Sequence, residues 1–141
     1  MAERGLQTDM TKARKLAEEW IHLGLGATAI PQPPFNGMEW FESYGERVKD
    51  DGNDARIVTS AKMEGSWPHW EMHPNGAEVV ICISGSATFT QELEDGSQIR
   101  IALSSGEYLI NPPGIWHTAD CDDGAEVLFI TAGMGTQHRE R

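Results

Sequence analysis

The chain opens on a helical period. Met10, Ala13, Leu16, Ala17, Trp20 and Ile21 recur at spacings of three and four behind Asp9, a residue able to cap a helix, and Gly24 and Gly26 end the pattern. This spacing predicts an amphipathic first helix, with His22 on its surface. Pro31-Gln32-Pro33-Pro34 is a connector, because proline lacks an amide donor and restricts the residue before it. A second short helix is predicted over about 38–49, with Trp40, Phe41, Tyr44 and Val48 on one side and Asp50-Asp51-Gly52-Asn53 closing it.

Beyond Asp54 the chain becomes a series of short β-type runs. They cover 56–63, 66–73, 78–84, 87–92, 98–103, 108–110, 116–119 and 126–131. Asn75-Gly76, Asp95-Gly96, Ser105-Gly106, Pro113-Gly114 and Asp123-Gly124 punctuate them. Such regular spacing describes an all-β sandwich or barrel.

Composition narrows the classes. The length of 141 residues fits one domain with its own core. No apolar run is long enough for a membrane span. A net charge of −11, with basic residues clustered only at Lys12, Arg14 and Lys15, argues against nucleic acid as a partner. Two cysteines, Cys82 and Cys121, are too few for a disulfide framework and are expected to be reduced thiols. The first residues carry no basic and apolar leader pattern, so the expected location is cytoplasmic.

The chemistry concentrates in two adjacent runs. Side chains two apart on a strand share a face, so Trp67, His69, Glu71 and His73 point one way while Pro68, Trp70 and Met72 point the other. In the next run Glu78 shares a face with Val80, Cys82 and Ser84, and both faces of that run read as buried. A carboxylate leading so apolar a strand requires a cation, a donor or a metal, since desolvation otherwise opposes it.

These spacings carry a resemblance. His73, four residues, Glu78, six residues, Gly85 resembles the first motif of the cupin superfamily. Gly106, five residues, Pro112, one residue, Gly114, two residues, His117 resembles the second. The likeness runs over about 57–131. It implies a double-stranded β-helix, a jelly-roll barrel, with an N-terminal helical extension and connector over 1–54, the cupin barrel over 55–134 and a C-terminal tail over 135–141. A closer likeness, to small bacterial cupins, rests on Trp70-Glu71-Met72-His73-Pro74 and Gly135-Thr136-Gln137-His138-Arg139.

The resemblance implies His73, Glu78 and His117 as ligands of one divalent metal ion. Where the family has a further histidine, two residues before His73, this chain has Glu71, and the second motif's terminal asparagine is Cys121 here. A rise of ~3.3 Å per residue places Glu71 roughly 7 Å from His73 and His69 roughly 13 Å from it, which favours Glu71 as fourth ligand. A bulge at Pro68 is the route by which His69 would turn inward instead. His138 is read as a tail residue. Two imidazoles with one or two carboxylates suit Fe, Mn, Zn or Ni.

The leading expectation is a metal-dependent cupin acting on a small organic molecule, oxygenase-like, with Trp116 and His69 lining the substrate pocket. Glu71 and Glu78 are also the candidate catalytic groups of an alternative, a metal-free isomerase, lyase or cyclase in which at least one of these carboxyls has a raised pKa. A non-catalytic module that binds or senses a small ligand is the third reading. A homodimer is expected, the N-terminal segment packing across the interface or over one barrel end.

Overall fold

The computed structural model describes residues 10–141. Its strands are β1 (Ile21–Gly24), β2 (Thr28–Pro31), β3 (Arg56–Met63), β4 (His69–Met72), β5 (Glu78–Glu92), β6 (Gln98–Ser104), β7 (Tyr108–Asn111), β8 (Trp116–Asp120), β9 (Ala125–Thr131) and β10 (Gln137–Glu140). One α-helix, α1 (Glu39–Arg47), precedes β3. All pairings are antiparallel.

β5 belongs to both halves of the barrel. Its first residues lie between β7 and β9, in a half that continues through β3 and β1 to β2. Its last residues lie between β6 and β8, in a half that continues through β4 to β10. The strand turns at Gly85, whose φ of +75° suits glycine, and a Cβ there would collide with the backbone carbonyl of Gly124. The sequence pattern divides this stretch into two runs, but a left-handed residue inside a ladder bends a strand without ending it.

Between the two halves lies the core. Val80, Cys82, Phe89, Ala119 and Val127 are fully buried, with Leu103, Leu109 and Phe129 around them. The expected alternation along β5 holds for one face only: Glu78, Val80 and Cys82 are buried, whereas Ile83 is 49% exposed. The prediction that both faces of this run are buried is thus corrected, because the outer face of a barrel strand meets solvent wherever nothing packs over it.

The N-terminal third departs from its predicted form. Asp9 lies outside the described residues, and residues 10–20 form turns without a helix. Ile21, His22 and Leu23 pair instead with Val58, Ile57 and Arg56 of β3, and β2 folds back on β1. A helical spacing of apolar residues was outweighed by an open sheet edge, where the β-branched Ile21 fits as well. The predicted surface position of His22 is corrected for the same reason, since its side chain is 1% exposed beneath α1. The second helix does form, and Trp40, Tyr44 and Val48 bury one face against Ala55 and Ile57.

Candidate metal centre

Three strands bring the predicted ligands to one place. β4 presents Glu71, with His73 just beyond its end, β5 begins with Glu78, and β8 carries His117 directly opposite Glu71. The Nε2 atoms of His73 and His117 lie 3.3 Å from the two oxygens of Glu78, Oε2 and Oε1 respectively. Each is also 3.9 Å from Oε1 of Glu71. The two imidazole centroids are 5.1 Å apart. His73, Glu78 and His117 are buried and Glu71 is partly buried.

Both imidazoles are held in one tautomer. His73 Nδ1 lies 2.8 Å from Thr136 Oγ1, and that hydroxyl donates to the Gly133 carbonyl, so it can only accept from the ring. His117 Nδ1 lies 3.3 Å from the Ile115 carbonyl, which also only accepts. The hydrogen therefore sits on Nδ1 in each neutral ring, and the Nε2 lone pairs face inward.

Among the described residues those inward nitrogens have no hydrogen-bond partner. The Glu78 oxygens, though 3.3 Å away, do not lie in line to accept from them. With metal–nitrogen bonds of about 2.1 Å, ligand atoms around a four- or six-coordinate ion stand roughly 3.0–3.4 Å apart. The 3.3 Å separations from Glu78 lie within that range and the 3.9 Å separations from Glu71 are wider; donor atoms of Glu71, His73 and His117 all lie within 4.8 Å of one another, and the orphaned buried nitrogens fit a cation placed among them.

Glu78 is fixed by its other contacts. Asn111 Nδ2 donates to Oε1 at 3.0 Å and Thr131 Oγ1 donates to Oε2 at 2.6 Å. Asn111 is held in turn by Gln91, whose amide reaches Asn111 Oδ1 and the Ile110 carbonyl, each at 2.9 Å. Burial opposes ionisation of Glu78, and in the metal-free site the His117 and His73 rings lower its carboxyl pKa when they carry a hydrogen on Nε2, the position an ion would take. Burial pulls His73 down, and the Glu78 and Glu71 carboxylates outweigh it and raise its pKa.

The site has an apolar wall. Trp67 meets Phe89 at 5.9 Å, Phe129 at 6.2 Å and His117 at 6.3 Å between ring centroids, and it stacks on His69. His69 stands at the rim, its Nε2 3.4 Å from Glu71 Oε2. Trp116 is not brought to this site. It follows the alternation of β8 to the opposite face from His117, where Arg139 lies 4.6 Å above its ring and 5.0 Å from that of Trp70.

Sequence reasoning missed the residues that support the ligands. Thr131, Gln91 and Asn111 act through hydrogen bonds across strands, and only the position of Asn111, next to Pro112 of the second motif, hinted at a role. His138 is on β10, opposite Glu71, with its Nε2 3.1 Å from Glu71 Oε2. Gln137-His138-Arg139-Glu140 is polar throughout, so no apolar alternation marked it as a strand.

The family model described as a cupin domain matches residues 56–133. A hydroquinone 1,2-dioxygenase from Sphingomonas sp. TTNP3, solved with 4-hydroxybenzoate bound, is 19% identical, with a TM-score of 0.46 over 54% of this chain and 59% of its own. A cupin-2 domain containing protein from Shewanella frigidimarina is 24% identical, with a TM-score of 0.46 over 54% of this chain and 69% of its own. Oxalate decarboxylase from Bacillus subtilis is 26% identical, with a TM-score of 0.46 over 54% of this chain and 20% of its own. The matched region thus spans less than two thirds of the dioxygenase and a fifth of the decarboxylase. No curated protein sequence matches the chain. With both motifs on adjoining strands of a jelly-roll barrel and the family model matching more than half of its length, the chain belongs to the cupin domain family.

Proposed function

We propose that this protein is a metal-dependent cupin that holds one divalent ion through Glu71, His73, Glu78 and His117 and transforms a small organic molecule in oxygenase-like chemistry. The observation that carries this reading is the pair of buried, unpartnered Nε2 atoms, each with its ring hydrogen committed to Nδ1. Two carboxylates and two neutral imidazoles carry a charge that a divalent cation cancels, which removes the cost of burying Glu78.

Iron, manganese, zinc and nickel all accept such a nitrogen and oxygen donor set, and when bound the ion supplies Lewis-acid chemistry and, for iron or manganese, redox chemistry. The chain's own residues do the rest. Thr136 and the Ile115 carbonyl orient the two rings, while Asn111 and Thr131 fix the Glu78 carboxylate. Trp67, backed by the buried Phe89 and Phe129, supplies an apolar wall beside His117 that would meet an apolar portion of the substrate. Both Glu78 oxygens accept hydrogen bonds, from Asn111 and Thr131, which favours the ionised carboxylate over the protonated acid of a metal-free mechanism.

The reading extends to assembly and location. Ile83, Tyr108 and Ile110 leave apolar side chains exposed on the outer face of β5 and β7, a surface suited to a homodimer contact. Light scattering that returns a monomer mass would remove that part. Cys82 and Cys121 are free and buried, as suits a cytoplasmic protein. Among the described residues no helix is long and apolar enough to cross a membrane.

The test of the metal centre is elemental analysis of tag-free protein purified without chelators, with His73→Ala and His117→Ala alongside. Near-stoichiometric metal in the parent protein and its loss from both variants is the expected result. A parent protein that takes up no divalent ion when supplied with iron, manganese, zinc or nickel would end the proposal.

A further inference from the structure

One row of side chains crosses three neighbouring strands. His138 of β10 stands opposite Glu71 of β4, and Glu71 stands opposite His117 of β8. Glu71 at the centre divides its two oxygens. Oε1 faces His73 and His117, whereas Oε2 faces outward to His138 Nε2 at 3.1 Å and His69 Nε2 at 3.4 Å. His69 joins this outer group because it lies two residues before Glu71 on the same strand face.

We propose that His69, Glu71 and His138 form a second divalent-metal site, which shares the Glu71 carboxylate with the inner centre and makes the barrel mouth a two-metal site. The three donor atoms lie within 4.8 Å of one another. Without an ion both rings hydrogen-bond Glu71 Oε2, at 3.1 and 3.4 Å, and an ion bound through bonds of about 2.1 Å would replace those hydrogen bonds at nearly the same ligand separations. The two rings meet edge to face at 5.1 Å, so both nitrogens can turn to one point without steric conflict. Trp67 stacks on His69 at an interplanar angle of 18°, which limits the orientations that ring can take.

Exposure gives the outer site its character. The side chains of His69 and His138 are 37% and 54% exposed, so an ion there would keep water on its remaining positions and exchange with solvent more readily than the inner one. Two imidazoles and one carboxylate form a borderline donor set, which selects zinc, cobalt or nickel over calcium or magnesium. An ion with open positions beside the inner centre would also bind a second oxygen donor of a substrate, such as a carboxylate or a vicinal hydroxyl. The pairing rests on the inner centre proposed above, whereas the outer site stands on its own residues.

The experiment is a calorimetric titration of chelator-stripped, tag-free full-length protein with zinc, repeated with cobalt and followed by visible absorption. The parent protein should bind two ions per chain. His138→Ala and His69→Ala should each bind one, and so should His73→Ala and His117→Ala, because each pair of substitutions removes a different site. His138→Gln, which keeps the shape and polarity of an exposed side chain, should match His138→Ala, and unchanged metal-free melting would show that folding is intact. A parent that binds a single ion, retained in the His69 and His138 variants and lost in the His73 variant, overturns the outer site and leaves the inner centre standing. A single ion lost in the His138 variant and retained in the His73 variant supports the outer site and removes the inner one.

Discussion

The hydroxyl of Thr136 lies 2.8 Å from Nδ1 of His73, and the same hydroxyl donates to the carbonyl of Gly133. The segment that leads into β10 thereby sets the tautomer of a buried candidate ligand on the far side of the sequence. Replacing Thr136 by valine keeps the volume and removes the acceptor. The expected outcome is a loss of metal affinity of about 10- to 100-fold with the fold retained. Competition with a chromophoric chelator measures it, and an unchanged affinity would mean that the contact orients nothing.

A second prediction concerns pH. His73 has a raised pKa in the metal-free protein, through carboxylates that outweigh the effect of burial. Its protonation therefore contributes stability that is complete below the unfolded-chain value near 6.5 and is lost as pH rises through the higher folded value. Metal binding has the opposite sign, since the ion must displace that proton. Melting temperatures of chelator-stripped protein should fall as pH rises above about 6.5, while the stabilisation given by added metal should grow over the same interval. Parallel curves with and without metal would contradict this.

Arg139 anchors β10 by its position between Trp70 and Trp116, with Glu92 as an ion-pair partner at 2.7 Å. The pair with Glu92 is partly exposed and contributes little, whereas the stacking over two indoles is worth about 1–2 kcal/mol. Arg139→Ala should lower the melting temperature and shift tryptophan emission to the red. Arg139→Lys should restore little of it, because an ammonium group cannot stack as a planar guanidinium does.

Beneath α1, His22 links Asp51, at 2.6 Å from Nε2, to the Tyr44 hydroxyl, at 2.8 Å from Nδ1. Burial, and after it the charge of Asp51, raises the Tyr44 pKa. Above the ordinary tyrosine value of about 10 the unfolded chain ionises at this position while the folded one does not, so stability falls as pH climbs past it. Tyr44→Phe should cost about 1–3 kcal/mol at neutral pH by leaving His22 Nδ1 without a donor, and it should flatten that part of the alkaline decline. Chemical denaturation at pH 7 and at several values above 10 tests both.

The middle of the barrel was legible in the sequence, because β3, β6, β8 and β9 each combine an alternating pattern with a glycine turn at their ends. The two motifs foresaw the convergence of His73, Glu78 and His117, and the reach argument brought Glu71 in beside them. Trp116 went astray because adjacency in sequence to His117 means the opposite face of a strand. β1 hid within a helical spacing, since its pairing with β3 is decided by tertiary contact and by no local preference. β10 was read as a tail because an exposed edge strand needs no apolar face, so nothing in Gln137-His138-Arg139-Glu140 advertises burial.

Laid straight, the stretch from Glu78 to Gln91 would span roughly 43 Å. Yet both residues touch Asn111, which donates to the first and accepts from the second. The strand is thus a bow, strung across its ends by one asparagine, with Gly85 in the curve of the wood. A side chain forced in at that bend would deform no ligand directly, but it would pull the ends of the bow apart, and the carboxylate and the row of imidazoles would drift out of register together.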